Sequence, residues 1–162
     1  MRFFDFFNGS DSNKKAVKES TVWQNTGLEK EIRISAASFL LKYAVQYTGL
    51  DFSVQSLEIL EVLLEDASKF YNEMSPEQQQ KIIEGAGAYL FETARKNAGG
   101  TYYWYQKLSQ PILVTGQPRF ETSILAFRQV ENRLRNGKGD EIPVYFESYL
   151  ENVKQQRSAV II

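Results

Sequence analysis

The sequence predicts a single α+β domain with N-terminal helices, a three-stranded antiparallel meander and two C-terminal helices. Three observations carry this expectation. Apolar residues recur at three- and four-residue steps from about Glu29 to Asn97, as on the buried face of a helix. After Gly100 the spacing drops to two, as in strands. Beyond Leu125 the helical spacing returns, and Pro143 is placed to open a last helix.

The chain opens on Phe3-Phe4-Asp5-Phe6-Phe7, followed by the polar stretch Asn8 to Lys15. Residues 1–27 read as an apolar hook on a polar linker, with the hook packed into its own core, held at a membrane surface or docked on a partner. Residues 28–157 read as the domain, and 158–162 as an apolar tail able to add an edge strand.

The first helix is expected from Glu29 to Tyr47, with Ile32, Ala36, Phe39, Leu40 and Tyr43 on one face and Gly49 as its stop. Ser53 is placed to cap a second helix that buries Leu57, Leu60, Leu64, Ala67, Tyr71 and Met74. On its far side Glu58, Glu61 and Glu65 form an acidic ridge, read as a solvated face. Ser75-Pro76-Glu77-Gln78 combines a capping serine, proline at the first helical position and glutamine at the capping-box position. It opens a long helix that Gly99-Gly100 ends. Gly85 and Gly87 lie inside that helix, where each costs up to ~1 kcal/mol relative to alanine, so either a neighbouring sheet or helix or a ligand touching the backbone must approach closely there. Phe91 projects opposite Ile82, which places the helix between two layers.

Three strands are expected at 101–107, 111–115 and 119–125, with turns at Ser109-Gln110-Pro111 and Gly116-Gln117-Pro118. Tyr102 and Trp104 face one side of the first strand, Tyr103 and Tyr105 the other. Aromatic groups on both faces suit a central strand, covered by helices on one side and by a partner or chain terminus on the other. Phe127, Val130 and Leu134 then define a helix face ending at Gly137, with Arg128 and Arg135 expected in solvent. Tyr145, Phe146, Tyr149, Leu150 and Val153 mark the last helix.

Several functions are excluded or disfavoured. The chain has no cysteine and no histidine, which removes Ser-His and Cys-His catalysis, disulfides and most zinc sites. With 19 basic and 20 acidic residues it lacks the positive field that nucleic acid demands, so no nucleic-acid partner is expected. No apolar run approaches the ~20 residues that span a bilayer, so no transmembrane segment and a cytoplasmic location are expected. No calcium loop, phosphate loop or dinucleotide motif occurs, and neither metal nor other cofactor is expected. Residues 51–100 carry 9 acids and 4 bases, against 6 acids and 8 bases in 101–162.

Two functional readings remain. The first is a non-enzymatic module that binds a protein partner or a second copy of itself, with Phe91, Tyr103 and Tyr105 as aromatic anchors. The second is a small-ligand binder or a histidine-independent hydrolase, with Glu92, Arg95 and Glu121 converging in a cleft beside the sheet. Otherwise Glu92 with Arg95 and Lys96 is an ordinary helix-surface ion-pair set.

Gly87-Ala88-Tyr89-Leu90 with Glu92, then Gly99-Gly100 and Trp104, resembles a family of uncharacterised small bacterial α+β proteins. These share a G-A-Y-L-x-E helix, a double-glycine exit and an aromatic first strand. Phe127 to Gly137 is similar to the helix and glycine stop that follow the sheet in that family, and Asp51-Phe52-Ser53 with Ser56-Leu57 to a segment before the long helix. The similarity spans about residues 50–150, and Phe91 departs from it at a position often filled by a small residue. The family is a domain of unknown function, some members of which lie beside toxin and immunity genes. The resemblance implies an α+β fold and an immunity or accessory role, and supplies no catalytic residue.

Overall fold

The computed structural model describes the backbone of residues 11–162 and the side chains from Gly27 onward. The phenylalanine-rich start lies outside the described residues. Five α-helices and four strands follow in the order α1 (Asp11–Tyr43), α2 (Ser56–Ser68), α3 (Pro76–Ala98), β1 (Thr101–Tyr105), β2 (Gln110–Thr115), β3 (Thr122–Ile124), α4 (Ala126–Asn136), α5 (Ile142–Lys154) and β4 (Ala159–Ile161). Helix α1 reaches back to Asp11, through residues that read as linker because their polar side chains hide any helical period. At its other end, Ala44 and Tyr47 still donate to Leu40 and Tyr43, so helical turns run on until Gly49, where φ is +102°.

Helix α3 organises the molecule. Ser75 Oγ accepts the Gln78 amide while the Gln78 side chain accepts the Ser75 amide, the reciprocal cap expected from the sequence. Every residue from Ala86 to Ala94 is buried, so the helix is covered on all sides. Gly85 and Gly87 admit the neighbours: a Cβ at Gly85 would meet Phe39 of α1, and one at Gly87 would overlap Phe127 of α4. Phe91 meets Tyr102 of β1 edge to face, with ring centroids 5.4 Å apart. The expected sandwich is present.

The sheet differs from a three-stranded meander. Its order is β1-β2-β3-β4, with antiparallel pairs between β1 and β2 and between β2 and β3. Strand β4 runs parallel to β3, pairing Ser123 with Val160 and Ile124 with Ile161. The sheet is therefore mixed, because α5 returns the chain to the end of the sheet from which β3 starts. The apolar tail supplies the fourth strand, held by Tyr145 Oη, which donates to the Ile161 carbonyl at 2.8 Å and accepts the Leu125 amide at 3.1 Å. Strand β1, read as central, lies at an edge. Tyr102, Leu113 and Ile124 join the main core on one sheet face. Tyr105, Ile112, Val114 and Leu125 form a second buried cluster on the other.

The acidic ridge of α2 is solvated only in part: Glu58 is exposed, whereas Glu61 and Glu65 are tied to α4. Arg133 of α4, with a side chain only 2% exposed, donates from Nε to Glu61 at 2.5 Å and from Nη2 to Glu65 at 2.6 Å. The second Glu61 oxygen accepts the Ile142 amide at the start of α5, at 2.9 Å. Three helices thus meet at one guanidinium, which neutralises what would otherwise be repelling carboxylates on successive turns. Arg135 is exposed as expected, whereas Arg128 is half-buried.

Candidate functional site

The residues proposed from sequence do not assemble into one site. Phe91 is completely buried between Tyr102 and Phe127 and Tyr105 is also buried, so neither is available as a surface anchor in this fold. The aromatic excess that suggested a partner surface is spent on interior layers. Tyr103 is half-buried and donates to Gln117 Oε1 at 2.8 Å.

Glu92, Arg95 and Glu121 do not converge either. Gln117 donates from Nε2 to Glu121 Oε1 at 3.1 Å, which ties Glu121 to Tyr103. Glu92 instead accepts the Tyr102 hydroxyl at 2.9 Å. Adjacent strand residues point to opposite faces, so the two carboxylates serve opposite sides of β1. Nor is the Glu92–Arg95 pair a surface feature: the Glu92 side chain is 3% exposed and takes Arg95 Nε and Nη2 at 2.8 and 2.9 Å, a two-pronged clamp. Arg33 Nε of α1 stands 4.0 Å from the same carboxylate. Burial alone would raise the Glu92 pKa, but the bonds from Arg95 and Tyr102 outweigh it and hold the carboxyl below its usual range. Both oxygens are engaged and ionised, so Glu92 ties α3 to β1 and α1 and has no proton to offer as an acid. Lys96 sits over the Phe52 ring at 5.0 Å. Among the described residues no group of three or more acidic side chains gathers to hold a metal ion, and no helix is long and apolar enough to cross a membrane.

A concavity with room for a ligand lies elsewhere, between the C-terminal half of α1, the end of α2 and the first turns of α3. It has a volume of about 860 Å³. Helical spacing on α1 builds one wall: Ser35, Ser38, Phe39, Lys42, Tyr43, Gln46 and Tyr47 recur at steps of three and four. The rings of Phe39, Tyr43 and Tyr47 follow one another at 4.7 and 6.4 Å between centroids. Leu63 and Ala67 supply the floor from α2, with Phe70 and Met74 beyond its end, and Ile82 and Gly85 the far wall from α3. Phe70 is 60% exposed, an unusual position for so large an apolar group.

Several polar groups of the lining are paired with one another. Tyr47 Oη donates to Asp66 Oδ2 at 2.9 Å and Lys69 Nζ to Oδ1 at 3.2 Å, locking the end of α1 onto α2. These bonds hold the Asp66 carboxyl below its ordinary pKa, and burial together with that carboxylate pushes the Tyr47 hydroxyl up. Lys42 Nζ lies 5.2 Å from the Tyr43 ring, and Lys81 pairs with Glu77 at 3.1 Å. The groove can bury an apolar body and attract negative charge to its edge.

Sequence reasoning had Phe39, Tyr43 and Met74 in hand as core positions. It missed that the α1 face is wider than α3 and α2 can cover, and the available signal was Tyr47 and Phe70 continuing the two apolar faces past the ends of their helices. Comparison with family models, with curated proteins and with solved structures gives no match to this chain.

Proposed function

We propose that this protein is a non-enzymatic interaction module whose docking surface is the groove between α1, α2 and α3. The observation that carries the reading is the combination, in one concavity, of an aromatic wall, a 60% exposed Phe70 and a few charged side chains. Large exposed apolar groups ringed by polar ones are the composition of protein contact sites. Catalysis through Glu92 is not carried forward, since both its oxygens are engaged by Arg95 and Tyr102.

Site-directed photo-crosslinking tests this. A benzoylphenylalanine at position 70, in cells that naturally express the protein, should give a discrete adduct with another protein. The same probe at Val144, which is 62% exposed and outside the groove, should not. No adduct from position 70, or equal adducts from both positions, would overturn the reading. A product of a neighbouring gene is the first partner to test, given the family resemblance of residues 87–100.

The volume of the groove also falls in the range of small-molecule pockets, ~300–1,000 Å³, which favours a small-ligand binder as the second reading. A non-protein mass retained in native mass spectrometry of protein isolated from its source, and lost in Phe70→Asp, would support that alternative.

A further inference from the structure

Resting on the docking reading, we infer that the groove takes a helical segment of its partner, about three turns long, that carries carboxylates beside its apolar anchors. The helical form follows from backbone hydrogen bonding. Most of the lining comes from three α-helices, whose interior amides and carbonyls are already paired within each helix. An extended segment laid on this floor would leave its own backbone groups unpaired against aromatic rings, whereas a helix satisfies them internally. The dimensions agree. The lining of α1 runs from Ser35 to Tyr47, twelve residue steps of ~1.5 Å or roughly 18 Å, the length of about three helical turns. Ring spacings of 4.7 and 6.4 Å along that wall bracket the ~5.4 Å pitch, so side chains one turn apart on an incoming helix meet successive rings.

Charge selects the flanks. Residues 51–100 are acidic overall, yet the lining of the groove holds three lysines, Lys42, Lys69 and Lys81, and one acid, Asp66. Both oxygens of Asp66 are occupied by Tyr47 and Lys69. Lys42 rests on the Tyr43 ring with no carboxylate partner among the described residues. Lys69 is already engaged by Asp66 and Lys81 by Glu77, so a partner helix with glutamate or aspartate beside its apolar stripe gains chiefly Lys42, and one with lysine or arginine meets like charge at the rim.

The test is a displayed library of helical peptides with leucine fixed at i, i+4 and i+7 and flanking positions randomised. It is selected on the full chain and counter-selected on Phe70→Asp. Peptides enriched in Asp and Glu at the flanks are expected. Fluorescence anisotropy on the best of them should show affinity falling about tenfold in Lys42→Glu/Lys69→Glu, two reversals of exposed charges. Enriched peptides with neutral or basic flanks, still dependent on Phe70, would overturn the charge inference and leave the docking reading standing. No enrichment over Phe70→Asp would overturn both. So would saturable binding of dodecanoate without any selected peptide, which assigns the groove to a small amphiphile, or self-association abolished by Phe70→Asp, which puts a second copy there.

Discussion

Replacing Gly87 with alanine measures how tightly α3 is held between its neighbours. A Cβ built at Gly87 overlaps Phe127 Cδ1 outright and stands 3.0 Å from Cε1 and 3.2 Å from the Phe127 Cα. Carbon atoms rest about 3.5–4.0 Å apart. On one side the ring is blocked by Phe91, 5.6 Å from it centroid to centroid and itself fully buried against Tyr102. Since one obstructed atom is backbone, α4 as a whole must retreat. Overpacking of this kind costs ~1–3 kcal/mol, and the substitution recovers ~1 kcal/mol of helix propensity, which leaves a net loss of up to about 2 kcal/mol. Urea titration should show a lower midpoint with an unchanged slope. The same substitution made in Phe127→Leu should cost less, since the obstructing ring is gone. Gly85→Ala, facing only the Phe39 side chain at 2.9 Å, should also cost less. A midpoint that rises by the propensity gain would refute the close approach of α3 and α4.

Arg133→Ala should lower stability by about 2–3 kcal/mol in urea titration, because it strands Glu61 in the interior, and Glu65→Gln should cost less, since Glu65 is half exposed. Tyr102→Phe removes a hydrogen bond to a buried carboxylate and should cost about 1.5–3 kcal/mol at neutral pH. The Glu92 carboxyl has a folded pKa below its unfolded value. Its contribution is therefore complete above the unfolded pKa and disappears as pH falls through the folded one; Glu92→Gln should flatten that acid limb of the stability curve. Burial raises the Tyr149 hydroxyl to about 12 and pushes Tyr102 and Tyr145 up as well, so stability should fall as pH climbs from the unfolded value of about 10, with tyrosinate absorbance appearing together with unfolding. Deleting residues 159–162 removes the parallel pairing of β4 and the Tyr145–Ile161 bond, a loss of about 2–4 kcal/mol visible in thermal melts.

Elements whose determinants lie within a few residues were legible in the sequence. Ser75 and Gln78 cap each other, so the start of α3 follows from four adjacent letters, and Gly99 and Gly137 stop their helices through local backbone conformation. The interior glycines correctly announced close neighbours. What remained hidden depends on partners far away in the chain. Glu61 and Glu65 have the spacing of a solvated face, and only the fold brings Arg133 to them. Phe91 and Tyr105 are aromatic in excess of an obvious core, which reads equally well as surface or as a second layer. The direction of β4 depends on where α5 delivers the chain, a choice that Val160 and Ile161 do not encode by themselves. The groove escaped for the same reason: an apolar face reveals what can be covered, while its uncovered remainder is set by the lengths and angles of other helices.

The Arg133 clasp also bears on the lifetime of the folded state. It spans 72 and 68 positions to Glu61 and Glu65, and Glu61 reaches a further 81 positions to Ile142. Helical turns close over four residues; this junction closes only after most of the chain has been placed, against a large loop entropy. If the junction forms after the transition state, its loss is felt in the rate of opening. A chevron of Arg133→Ala should accordingly move chiefly on its unfolding limb. One guanidinium then governs how long the native molecule persists, with little influence on how fast it is reached.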